Sequence, residues 1–97
     1  MNFAKIYNKA HQAGLKNAKK VEPLGNGYVY IKVYADPFKD WAITNELAEE
    51  DPARGWVIIV KSLDPYGSVT KKEAYAEAFC KVLKENDIKV YPRTYLT

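Results

Sequence analysis

Residues 54–96, RGWVIIVKSLDPYGSVTKKEAYAEAFCKVLKENDIKVYPRTYL, decide how this chain folds. The run 56–60 is Trp-Val-Ile-Ile-Val, long enough and β-branched enough for a buried strand. The loop 63–67, Leu-Asp-Pro-Tyr-Gly, is turn chemistry. Thr70-Lys71-Lys72-Glu73 has the form of a capping box. In that motif the threonine hydroxyl accepts from the amide three residues on, and the glutamate reaches back to the threonine amide. Residues 71–86 then carry Tyr75, Ala78, Phe79, Val82 and Leu83 at helical spacing. Ile88, Val90 and Tyr91 mark a short closing strand before Pro92. The segment therefore reads strand, loop, helix, strand, and such a unit can close as a right-handed parallel crossover.

Working back toward the N-terminus, residues 28–34 alternate strictly. Val29, Ile31 and Val33 share one face of a strand, while Tyr28, Tyr30, Lys32 and Tyr34 share the other. The connector 21–27 before it holds Pro23, Gly25 and Gly27, all turn residues. Residues 3–19 form an amphipathic helix with Phe3, Ile6, Tyr7, Ala10, Ala13 and Gly14 on one side. Three of these are small, so another element can approach that side closely. The opposite side carries a basic stripe, Lys5, Lys9 and Lys16. Asp36-Pro37 offers an N-cap followed by proline at the first helical position. It opens a short helix through Phe38, Trp41 and Ala42 that should end in the acidic run 49–52. The expected architecture is one α+β (or small α/β) domain spanning 1–97, in the order α-β-α-β-α-β. A single layer of about three strands should carry its helices mainly on the Val29/Ile31/Val33 face.

Both ends of this reading resemble a family of small proteins of tailed bacteriophages and prophages that has no assigned activity. The likeness lies in Gly55, the 56–60 strand, Ser68, Lys72-Glu73-Ala74-Tyr75-Ala76, Ala78-Phe79, Val82-Leu83 and Ile88-x-Val90-Tyr91. Ala10-His11-Gln12-Ala13-Gly14 of the opening helix is similar to it as well. The resemblance implies an origin in a phage or prophage, and hence the cytoplasm of the host, without implying an activity.

Composition narrows the function. Hydrophobic residues make up 47% of the chain and aromatics 13%, which excludes a disordered segment. No stretch approaches the roughly 20 apolar residues of a membrane span. The first residues have no continuous apolar run, so no signal peptide is expected. One cysteine excludes an internal disulfide framework. The net charge of +3 is unevenly spread. Residues 1–34 hold six lysines against Glu22, residues 35–60 two bases against six acids, and residues 61–97 seven bases against five acids. A chain with a basic front and an acidic middle suits a mixed-charge partner better than a polyanion.

The candidate chemistry is sparse. His11 is the single histidine and is expected as a solvated surface group without an orienting partner. Cys80 has no spaced histidine or second cysteine and sits among apolar helical neighbours, as a buried, inert thiol would. The acids at 46, 49, 50 and 51 do not follow a calcium-loop spacing. Gly25-Asn26-Gly27 reads as a turn into a strand. No catalytic residue, metal site or cofactor is expected. The remaining candidates are the face made by Tyr28, Tyr30, Lys32 and Tyr34, with Lys61, Lys89, Tyr91, Arg93 and Tyr95 as possible neighbours, and secondarily the stripe Lys5, Lys9, Lys16. The resulting expectation is a non-enzymatic phage accessory protein that binds a host protein, in the neighbourhood of anti-CRISPR and other inhibitors of host defence. The alternative is a small nucleic-acid-binding module that uses the same tyrosine and lysine face.

Overall fold

The alternation in residues 28–34 becomes the centre of a four-stranded antiparallel sheet. The computed structural model describes residues 1–34, 36–65 and 67–97. In chain order its elements are α1 (Phe3–Ala18), β1 (Gly27–Val33), α2 (Phe38–Thr44), β2 (Glu49–Asp51), β3 (Gly55–Ile59), α3 (Val69–Glu85) and β4 (Val90–Leu96). The strand order is β2-β3-β1-β4. Because β1 is antiparallel to both β3 and β4, those two strands run the same way with β1 between them. By the same logic β1 and β2 run together with β3 between them. Two interleaved, split β-α-β units result, the ferredoxin-like connectivity, here preceded by α1.

The class is α+β, with the helices on the Val29/Ile31/Val33 face. Several details depart from expectation. There are four strands rather than three among the described residues, and the order is α-β-α-β-β-α-β. The extra strand is the acidic run Glu49–Asp51, which pairs along β3 instead of ending a helix. Its turn explains why. Asp51 Oδ1 accepts from the amides of Ala53 at 2.8 Å and Arg54 at 3.0 Å, Pro52 takes the next position, and Gly55 adopts φ +81°. This is hairpin chemistry with a left-handed glycine closing a short loop. The last β-α-β unit does join two parallel strands, β3 and β4, as expected, with β1 inserted between them.

The helix starts also move. Asp36 does not cap α2: Pro37 holds the N-cap position, with no side-chain cap. The capping box at Thr70 does not form either, because α3 begins two residues earlier with Ser68 as N-cap. Thr70 Oγ1 instead donates to the Glu22 carbonyl and accepts from Leu24 N at 2.9 Å. Glu73 accepts from Thr94 Oγ1 at 3.0 Å. Both side chains are spent on tertiary stitching, a stronger claim on them than a local cap. Within the expected 63–67 loop, Tyr66 lies outside the described residues. Finally, β4 continues through Pro92 to Leu96. Val29 O accepts from Val60 N, so the odd-numbered residues of β1 direct their backbone groups to β3. Pro92 stands opposite Ile31, one of these, so its nitrogen faces the outer edge, where no ladder bond is lost.

Small residues decide how closely α1 approaches α3. Ala10, Gly14 and Ala18 are the buried residues of α1. A Cβ built at Gly14 would lie 2.5 Å from Tyr75 Cδ2, so only glycine admits the tyrosine ring there. Asn17 donates to Ala74 O at 2.7 Å, and Lys71 donates to Ala18 O and Val21 O, both at 2.9 Å. The lysine thus satisfies carbonyls at the negative end of the α1 dipole. Beneath the helices lie Val29, Ile31, Phe38, Phe79, Leu83 and Val90, each at most 2% exposed. Burying one such side chain contributes about 1.5–3 kcal/mol. Cys80 belongs to this layer, and burial pushes its thiol up to about 12. It is therefore a neutral packing group.

Candidate binding face on the open side of the sheet

The helices leave the other side of the sheet uncovered. Register places Tyr28 opposite Tyr95, Tyr30 opposite Arg93 and Lys32 opposite Tyr91 across β1 and β4. Side chains at directly paired positions share a face, so these six form one surface. Tyr34 follows β1 and is 41% exposed, while Tyr28 is 66%, Tyr91 49% and Tyr95 44% exposed. Ile59, opposite Tyr30 on β3, adds an exposed aliphatic side chain.

Tyr30 departs from the expectation of an exposed ring. It is only 8% exposed, although it points to the open side. Its ring stacks on Tyr95 with centroids 5.6 Å apart and planes 14° from parallel, and its hydroxyl donates to Tyr95 Oη at 3.1 Å. The Arg54 guanidinium lies 4.5 Å from the Tyr95 centroid and 5.1 Å from that of Tyr30, and its Nη1 donates to Asp51 Oδ2 at 2.9 Å. Burial raises the Tyr30 phenol above its ordinary range, whereas the hydrogen bond from Tyr30 and then Arg54 lower that of Tyr95. Contact with Tyr95, and next with Asp51, holds Arg54 in its protonated form. Asp51 sits below the usual carboxylate range, chiefly through the Ala53 amide. The half-exposed Arg54–Asp51 pair adds little stability, but it fixes the hairpin loop against the tyrosines. A cavity of ≈ 290 Å3 opens beside this cluster.

Cations and rings interleave along the whole β1–β4 half. Lys32 lies 5.3 Å from the Tyr34 centroid, Lys89 5.4 Å from the same ring, Arg93 5.0 Å from Tyr91 and Lys84 5.8 Å from Tyr91. Such contacts are worth about 0.5–1 kcal/mol at exposed sites. Of the expected neighbours, Lys89, Tyr91, Arg93 and Tyr95 thus join the face. Lys61 lines a different cavity, of ≈ 240 Å3, together with His11, Glu46, Glu49 and Tyr75. The stripe Lys5, Lys9 and Lys16 is exposed on α1, in the helical layer, and does not join the sheet face.

His11 is another correction. It is half-buried, not solvated, and its Nδ1 is hydrogen-bonded to the Tyr75 hydroxyl across 64 residues of sequence. Nothing local in the sequence signals that pairing. Arg54 was legible in principle, since Asp51-Pro52-x-x-Gly55 is a turn signature that brings the intervening arginine back over the sheet. Among the described residues, no group of three or more His, Cys, Asp and Glu side chains could hold a metal ion, and no helix is long and apolar enough to cross a membrane. Set against protein-family models, curated proteins and solved structures, the chain finds no match in any of the three comparisons.

Proposed function

We propose that this chain is a non-enzymatic accessory protein of a phage or prophage that acts by binding a host macromolecule through the open face of its sheet, as an inhibitor of host defence of the anti-CRISPR kind would. The observation that carries the reading is the concentration of exposed Tyr28, Tyr34, Ile59, Tyr91 and Tyr95 on one uncovered face. Large apolar groups gathered on one surface mark interaction sites, and tyrosine and arginine supply most interface anchors. The mechanism is steric. A sheet backed by three helices keeps the rings in place, so binding orders few side chains, and the charged groups between them set orientation and encounter rate.

Two classes of partner fit, a host protein and a nucleic-acid strand. A host protein is the expectation from overall charge. The absence of acidic residues from β1 and β4, with Asp51 beside them paired to Arg54, favours the nucleic acid. The test of the binding face is a pull-down of tagged protein from host lysate, with wild type beside a Tyr28→Ala/Tyr91→Ala double variant. Both side chains are exposed, so the variant should fold normally. Capture of a host macromolecule by the wild type and its loss in the double variant is expected. Equal capture by both proteins would place the binding surface elsewhere.

A further inference from the structure

We infer that the β1–β4 half of the open face is a platform for single-stranded nucleic acid, on which two or three bases stack against tyrosine rings while Lys32, Lys89 and Arg93 meet the phosphates. The inference rests on the open face being the docking surface and names the chemistry of what docks.

A single strand presents flat bases joined by anions, so its platform needs ring planes with cations set between them. On this half of the sheet the strands contribute tyrosine, lysine and arginine, and no acidic residue faces outward from β1 or β4. Each of the three cations rests over a tyrosine ring at 5.0 to 5.4 Å. These side chains have flexible stems, so each can leave its ring for a phosphate and free the ring plane for a base. A protein partner of ordinary mixed charge would find no carboxylate on β1 or β4 to pair with, since the neighbouring Asp51 is taken by Arg54, and the exposed aliphatic Ile59 lies on β3.

The acidic segment was the argument against a polyanion, and the strand order with the Arg54 contact weakens it. Three strand spacings separate the backbone of β2 from β4, about 14 Å at roughly 4.8 Å each. Asp51 does reach the cavity beside Tyr28 and Tyr95, but there it is paired with Arg54 at 2.9 Å, whose guanidinium lies 4.5 Å from the Tyr95 centroid. Tyrosine planes and cations read features common to DNA and RNA, so the face should bind both alike.

The experiment is fluorescence anisotropy with a short labelled oligothymidylate and the matching oligouridylate. Both should bind in the micromolar range at low salt with affinities within about tenfold of each other. With three phosphate contacts at a slope of about −0.7 each, affinity should fall about 18-fold from roughly 50 to 200 mM salt. Tyr28→Ala and Tyr91→Ala should each weaken binding about tenfold by removing a stacking plane. Arg93→Ala should reduce the salt slope by about 0.7. A triple variant Lys5→Ala/Lys9→Ala/Lys16→Ala, altered only in the helical layer, should stay within about twofold of wild type. If that triple variant loses as much affinity as Tyr91→Ala, binding is a diffuse charge effect and the platform is refuted. Absence of binding by folded wild type refutes it as well. In that event the lysate capture separates the two readings. Tyr28- and Tyr91-dependent capture of a protein after nuclease treatment leaves the docking face standing and removes the nucleic acid, whereas loss of both activities removes both.

Discussion

The two faces of β1 are made from alternate residues of one seven-residue strand, yet they are held in opposite ways. Val29, Ile31 and Val33 are buried against α2 and α3, where the fit of neighbouring side chains leaves little freedom. Tyr28, Tyr30 and Lys32 face a layer that is one side chain thick. There the contacts are ring on ring and cation on ring, each weak and each open to exchange with a ligand. Stability resides on one face and adaptability on the other. Only Tyr30 crosses the divide, since Tyr95 and Arg54 cover it.

Substitutions can break that contrast, beginning with the largest effect. Ile31→Ala should cost about 2–5 kcal/mol in urea unfolding, because it opens a cavity where nothing can collapse; a loss near zero would mean the helical layer is not packed as described. Alkali attacks the same face. Burial holds the Cys80 thiol at about 12 against an ordinary 9.0, so the folded chain keeps a proton that the unfolded chain releases. The contribution is whole below pH 9 and is lost as pH rises toward 12, about 3 kcal/mol by pH 11 at roughly 1.4 kcal/mol per tenfold change. Melting temperatures taken across this range should fall less steeply for Cys80→Ala, and parallel curves would contradict the assignment.

Gly14→Ala should cost about 1–2 kcal/mol, since overpacking against Tyr75 outweighs the gain of about 1 kcal/mol in helix propensity. A stabilised variant would show that the ring moves aside freely. In the other direction, Asp87 follows α3 at φ +61°, a conformation suited to glycine. Asp87→Gly should therefore raise the unfolding free energy measured in urea by about 0.5–1 kcal/mol. The smallest effect belongs to the open face. Tyr28→Ser should change stability by less than about 0.5 kcal/mol, whereas Tyr30→Ser should cost clearly more. Equal values for the two would erase the distinction between covered and free rings.

The parts of the fold legible in the sequence are those with a strong period. α1 shows in its apolar side and in the small residues that let α3 approach. β1 shows in strict alternation, and α3 in its apolar positions. β2 shows in neither way, because Glu49-Glu50-Asp51 has no apolar residue and becomes a strand only by pairing with β3. Thr70 and Glu73 satisfied a local rule that tertiary partners then overrode. On the candidate face, Tyr28, Lys32 and Tyr34 could be placed from alternation alone. The Tyr30–Tyr95 stack joins residues 65 positions apart and depends on a strand that Pro92 was expected to end.

That proline also governs what cannot happen at the margin of the sheet. An edge strand is a ready template for another chain, and a tyrosine-rich sheet with a free edge invites fibril growth at high expression. Along the outer side of β4 the amide donors come from alternate residues, and the second of the four, Pro92, has none to offer. A strand arriving there would find the ladder interrupted. The β4 edge is thereby a poorer template for a second copy, and a partner is left the broad approach from above the sheet.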